Sequence, residues 1–267
     1  MFDGTVPPMD APRMTVGDHD LPVAVFGAGP PLVWGHGLTS SRGREDALPM
    51  VRFAKLAATH TIVRFDARGH GLAGGPPDPM AYAWPSLATD LLALADTLGF
   101  TSFVAAGVSM GTATALHAAI RSPQRIRAMV LTGPPTAWTT RAAQATTYRA
   151  GAALVQREGI AAYVAQLEPG LLTPPGTAVL APDIPEDLLP HVFEGAALSD
   201  LPTPDALAAL RIPTFIQAWA GDPGHPVSTA VGLHEALKGS ELYVAEDLAG
   251  FKGWTTRIAD FLRRVDA

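Results

Sequence analysis

No cysteine occurs among the 267 residues of this chain. That absence excludes disulfides, a thiolate nucleophile and a thiolate metal site together. Charge is also sparse: 16% of residues are Asp, Glu, Lys or Arg, and the net charge is −6 with no run of Lys or Arg. Such a balance argues against nucleic acid or an anionic membrane as the main partner and favours a small molecule. No apolar run reaches the length of a membrane span. Residues 1–8 lack the basic and apolar stretches of a secretory leader, so the cytoplasm is the expected location. The histidines are scattered singly, without metal-ligand spacing, and none follows His234. Neither a metal nor a cofactor is expected, and a monomer and a homodimer are both open.

What is present is apolar, at 48% of residues. A chain of this length and composition suits one core domain with an insertion. Strands are expected at 13–16 and 21–26 around a turn at 17–20, then at 31–34, 61–65, 102–106, 128–131, 213–219 and 241–245. Helices are expected at 46–58, at 86–98 with Ser86 as N-cap, and at 112–121, 228–237 and 254–265. Alternation of this kind, with strands that read as continuous apolar runs, predicts an α/β fold: a mostly parallel sheet with helices on both faces. Between 138 and 210 the rhythm changes to helical segments with proline-rich joints at 173–175, 181–182 and 201–204. The expected division is therefore a core of 1–137 and 211–267 with a helical lid, 138–210, that shapes the substrate site. The plainer alternative is that these helices only pack on the core.

The pentapeptide Gly107-Val108-Ser109-Met110-Gly111 stands between a strand and a helix. A serine on so sharp a turn projects its hydroxyl from the sheet edge, and the flanking glycines let backbones crowd beneath it. The free N–H groups of the following helix favour negative charge at the same place. Trp34-Gly35-His36-Gly37-Leu38, Phe65-Asp66-Ala67-Arg68-Gly69-His70-Gly71 and Gly221-Asp222-Pro223 also each end a predicted strand. With the pentapeptide, and over residues 12–265, these motifs resemble the α/β-hydrolase superfamily in order and spacing.

The resemblance implies an eight-stranded sheet, Ser109 as nucleophile, and an oxyanion hole formed by the backbone N–H groups of Leu38 and Met110. It makes His36 and His70 loop-shaping residues. Gly69-His70-Gly71-Leu72-Ala73-Gly74 has the form of a dinucleotide fingerprint but runs into prolines and not into a helix, so it offers no pyrophosphate site. The acid falls on Asp222, for which an ordinary turn aspartate is the alternative. The family's histidine belongs after the last strand, where this chain has Phe251.

A serine hydroxyl without a base is a poor nucleophile at neutral pH, so the base is the open question. His225, three residues after Asp222, is the candidate replacement; the alternative is a turn histidine beside Pro226. His234 and His117 read as packing residues, and Glu246 or Asp247 could serve only if burial raised its pKa. Three functions follow. The first is ester or lactone hydrolysis, or acyl transfer, on a small apolar carbonyl metabolite through Ser109, Asp222 and His225. The second is a lyase, isomerase or cyclase that uses the oxyanion hole without a full triad. The third is ligand binding without turnover. His36, Gly37, Trp138, Trp219 and Phe251 are expected to line the pocket, with Tyr148, Tyr163 and Phe193 as further aromatics of the lid.

Overall fold

The computed structural model describes residues 12–48, 50–167, 181–222 and 224–267. The expectations for residues 1–8, for the prolines at 173–175 and for Pro223 lie outside the described residues. Eight strands form one sheet in the order β1-β2-β4-β3-β5-β6-β7-β8. They are β1 (Arg13–Val16), β2 (His19–Gly27), β3 (Pro31–Gly35), β4 (Thr61–Phe65), β5 (Phe103–Val108), β6 (Ile126–Thr132), β7 (Thr214–Trp219) and β8 (Glu241–Ala245). β2 runs antiparallel to both β1 and β4, and every later pairing is parallel. Every residue of β5 is buried, as a strand covered on both faces must be.

Eleven α-helices surround the sheet among the described residues: α1 (Arg42–Asp46), α2 (Phe53–Leu56), α3 (Trp84–Thr97), α4 (Met110–Arg121), α5 (Arg141–Glu158), α6 (Ile160–Ala165), α7 (Leu189–Ala197), α8 (Pro204–Ala208), α9 (Val227–Ala236), α10 (Leu248–Lys252) and α11 (Trp254–Asp266). On one face Leu91, Leu94, Leu116, Phe193 and Leu233 bring α3, α4, α7 and α9 into one core. On the other, Phe53, Leu56, Ile258, Phe261 and Leu262 seat α2 and α11 against Leu32, Trp34 and Val130. No helix among the described residues is long and apolar enough to cross a membrane.

Three local expectations change. The first turn is Gly17-Asp18 alone, because Val16 pairs with His19; Gly17, at φ 61°, supplies the left-handed residue that so tight a hairpin needs. Within the helix expected over 46–58 the structure has only α2, Phe53–Leu56, while α1 lies before it and ends at Asp46. α3 begins at Trp84 with Pro85 in its first turn, and Ser86 donates to the Met80 carbonyl at 2.8 Å, so it caps nothing.

The stretch between β6 and β7 is helical. Tyr148 of α5 stacks on Phe193 of α7, ring centroids 5.9 Å apart, and Tyr163 of α6 meets the same ring at 5.2 Å. Arg141 is buried at the start of α5, its guanidinium 4.1 Å from the Trp84 ring and donating to the Ser199 carbonyl at 2.6 Å. It thereby ties α5 both to α3 and to the end of α7.

Candidate active site

Ser109 joins β5 to α4 with φ 53° and ψ −111°, a backbone conformation that costs an ordinary residue on the order of 1–3 kcal/mol and persists only where its surroundings enforce it. The enforcement is visible. The Ser109 amide donates to the carbonyls of Thr132 and Gly133 at 3.1 and 3.2 Å, while its own carbonyl accepts from Thr112 and Ala113 in the first turn of α4. A Cβ on Gly107 would stand 2.6 Å from the Gly35 carbonyl oxygen, and one on Gly111 would collide with the same atom. Both glycines are thus required for β3 and α4 to meet beneath the serine.

The loop after β3 comes down beside Ser109. A Cβ on Gly37 would lie 3.7 Å from the Ser109 Cβ. Gly111 N donates to the His36 carbonyl at 3.0 Å. His36 Nδ1 donates to the Gly37 carbonyl at 2.8 Å, and its Nε2 accepts from Ala67 N at 3.0 Å, which fixes the tautomer. Burial, followed by the neighbouring His70, lowers the His36 pKa to about 3, so His36 is a neutral loop-forming residue. His70 Nε2 lies 2.6 Å from the Leu38 carbonyl oxygen. Among the described residues, neither the Leu38 nor the Met110 amide has an acceptor, nor does the Ser109 hydroxyl have a partner. An unbonded hydroxyl, a free amide on the next residue and another in the neighbouring loop are groups from which an acyl-transfer site can be built.

Asp222 and His225 come together in the turn after β7. Asp222 Oδ2 lies 2.8 Å from His225 Nδ1. Oδ1 accepts from the amides of Gly224 and His225 at 2.9 and 3.2 Å, so the carboxylate both shapes the turn and orients the ring. Burial alone would raise the Asp222 pKa. The His225 hydrogen bond and charge, with the two amides, outweigh it and hold the carboxyl below its ordinary value. His225 in turn rests on Gly133: a Cβ there, at φ +51°, would stand 3.7 Å from His225 Cγ and 3.9 Å from Cδ2. The Gly133 carbonyl accepts from Ser109 N, and its amide donates to the Gln217 carbonyl at 2.7 Å. One residue therefore separates the imidazole from the serine.

The other named residues lie elsewhere. Phe251 is 1% exposed on α10, its ring packed between Trp219 and Trp254 at 5.4 and 4.5 Å. This corrects the expectation that it faces the pocket, since an aromatic cluster closes over it. Asp247 caps α10 through Gly250 N, and Glu246 is exposed, so neither is a buried base. His234 bonds Ser240, and His117 bonds the Asp200 carbonyl. Trp138, at φ 50°, donates its amide to Asp200 and its indole N–H to the Pro202 carbonyl, and its ring lies against Gly232 of α9. Among the described residues no three His, Asp or Glu side chains converge on a metal position. Gly133 and Gln217 escaped the sequence reasoning. The one signal for Gly133 was a glycine directly after an apolar strand.

Residues 30–157 match the family described as the alpha/beta hydrolase fold. The chain is 27% identical over 244 residues to 3-oxoadipate enol-lactonase 2 of Acinetobacter baylyi, a match that spans 87% of each protein. A thermophilic esterase from Thermogutta terrifontis superposes with a TM-score of 0.81 at 22% identity, over 96% of this chain and all of that one. The enol-lactonase from Burkholderia xenovorans superposes at 0.69 and 21% identity, over 94% of this chain and all of that one.

Proposed function

Because this chain belongs to the α/β-hydrolase superfamily, we propose that it cleaves a small apolar ester or lactone through Ser109, with His225 as general base and Asp222 as the group that orients and charges it. The observation that carries this reading is Gly133, which holds the Ser109 amide on its carbonyl and has the His225 ring as its neighbour, 3.7 Å from Cγ to where a Cβ would stand. With Nδ1 committed to Asp222, the His225 Nε2 is the nitrogen left for the serine proton.

In the first step the Ser109 oxygen forms a bond to the substrate carbonyl carbon as its proton passes to Nε2. The carbonyl oxygen, now anionic, accepts from the Leu38 and Met110 amides. A donor of this kind is worth roughly 10²–10³ in kcat. Collapse breaks the bond to the leaving oxygen, which takes the proton from Nε2. A water then gives its proton to Nε2 as it attacks the acyl-serine, and the bond to the Ser109 oxygen breaks with return of that proton to it, releasing the acid. In a lactone both products stay on one molecule. The A. baylyi and B. xenovorans relatives are named as enol-lactonases, which places a cyclic ester among the first substrates to try. The helices of 138–210 form the cap that sets substrate shape in this reading, anchored by the Trp138 contacts to Asp200 and Pro202.

The test is turnover of short-chain aryl esters and of five- and six-membered lactones by the wild type and by Ser109→Ala. Loss of turnover in the variant with the fold intact supports the reading. Equal turnover by the two proteins rules out a covalent serine route.

A further inference from the structure

Asp183 precedes α7, yet each of its polar groups that bonds does so to the loops around the oxyanion hole. Its Oδ2 accepts from Ser41 Oγ at 2.5 Å across 142 positions of sequence. Its amide donates to the Thr39 carbonyl at 3.1 Å, and its carbonyl accepts from Gly71 N at 2.7 Å. Ser41 Oγ is also the N-cap of α1, where it accepts from Arg44 N at 3.2 Å. Gly71 directly follows His70, the residue in contact with the Leu38 carbonyl.

The Leu38 amide points where its two flanking peptides allow. On the N-terminal side, Gly111 fixes the His36 carbonyl and His36 fixes that of Gly37. On the C-terminal side, Asp183 holds the Thr39 carbonyl and the Ser41 side chain, and no other described residue from outside the loop bonds either of them. We propose that Asp183 is a positioning residue for the oxyanion hole: the segment before α7, within the helical stretch between β6 and β7, sets the direction of the Leu38 amide through Thr39 and Ser41. This rests on the reading of Ser109 and Leu38 given above. Its consequence is that the helical stretch contributes to the transition state as well as to substrate shape.

Asp183→Ala removes the acceptor for Ser41, whereas Asp183→Asn keeps an oxygen in its place. With p-nitrophenyl acetate as substrate, Asp183→Ala lowers kcat about tenfold while KM stays within about twofold, and Asp183→Asn recovers most of the loss. The pH profile keeps its shape, because the base is untouched. Amide exchange at residues 38–41 speeds up in Asp183→Ala, and exchange in α3 does not. Wild-type kcat in Asp183→Ala, a change in KM alone, or no rescue by Asn overturns the proposal. So does unaltered exchange at 38–41, a readout that decides the matter even if Ser109→Ala shows that the serine reading has failed.

Discussion

His225 stands beside Gly133, its Cγ 3.7 Å from where a Cβ on that glycine would lie, and the carbonyl of Gly133 binds the backbone amide of Ser109. Position 133 sits at φ +51°, in the left-handed region, and a Cβ at 3.7 Å from the ring would be in ordinary van der Waals contact with it. Gly133→Ala therefore costs about 1–2 kcal/mol for a left-handed non-glycine residue, while its methyl fits beside the imidazole. The expected outcome is a lower melting temperature with kcat/KM of the folded variant changed by less than about tenfold, checked by denaturation and steady-state kinetics together.

Asp222 gives a prediction with a definite sign. Its folded-state pKa lies below the ordinary carboxylate value of 3.8, so its ionised form stabilises the fold above that value and the contribution disappears as pH falls through the depressed one. Asp222→Asn should be less stable than wild type at pH 7, with the gap closing towards pH 2. A gap that is constant with pH would show that the carboxylate charge contributes nothing.

Glu45 behaves in the opposite way. Burial raises its pKa from 4.5 to about 7, against the opposing pull of Arg64 and the Trp34 indole N–H, which lies 3.1 Å from the carboxylate. A carboxyl whose folded-state pKa is raised favours folding while protonated, so stability from this group declines from about pH 4.5 to about pH 7 and is flat above. Glu45→Gln keeps an acceptor for Trp34 and should remove that decline. Melting temperatures of the two proteins between pH 5 and pH 8 provide the check.

Phe251 is expected to matter for stability and not for the chemical step. Phe251→Ala, in the cluster with Trp219 and Trp254, should cost about 3–5 kcal/mol. At a temperature where the variant is still folded, Ser109 should react with a phosphonate about as fast as in the wild type. A rate lower by orders of magnitude in the folded variant would return Phe251 to the active site.

Much of this was legible in the residues. Strands such as 61–65 and 241–245 fall where continuous apolar runs put them, and Gly107 and Gly111 announce a turn whose steric reason is the Gly35 carbonyl. Short elements were harder. α10 is five residues long and set by the Asp247 cap, so it carries no periodicity to read, and it occupies the place where the family's histidine loop was sought. The contacts of Gly133 and Asp183 are long-range, made only when the end of β6 and the segment before α7 reach the loops around Ser109. No local pattern encodes a hydrogen bond between positions 41 and 183.

The central claim, that His225 activates Ser109, is tested most directly by the rate at which a fluorophosphonate adds to the intact protein, followed by mass spectrometry and located by peptide mapping. One adduct per chain is expected on Ser109 in the wild type, none in Ser109→Ala, and a rate at least about a hundredfold lower in His225→Ala. Labelling of His225→Ala at the wild-type rate would contradict the claim.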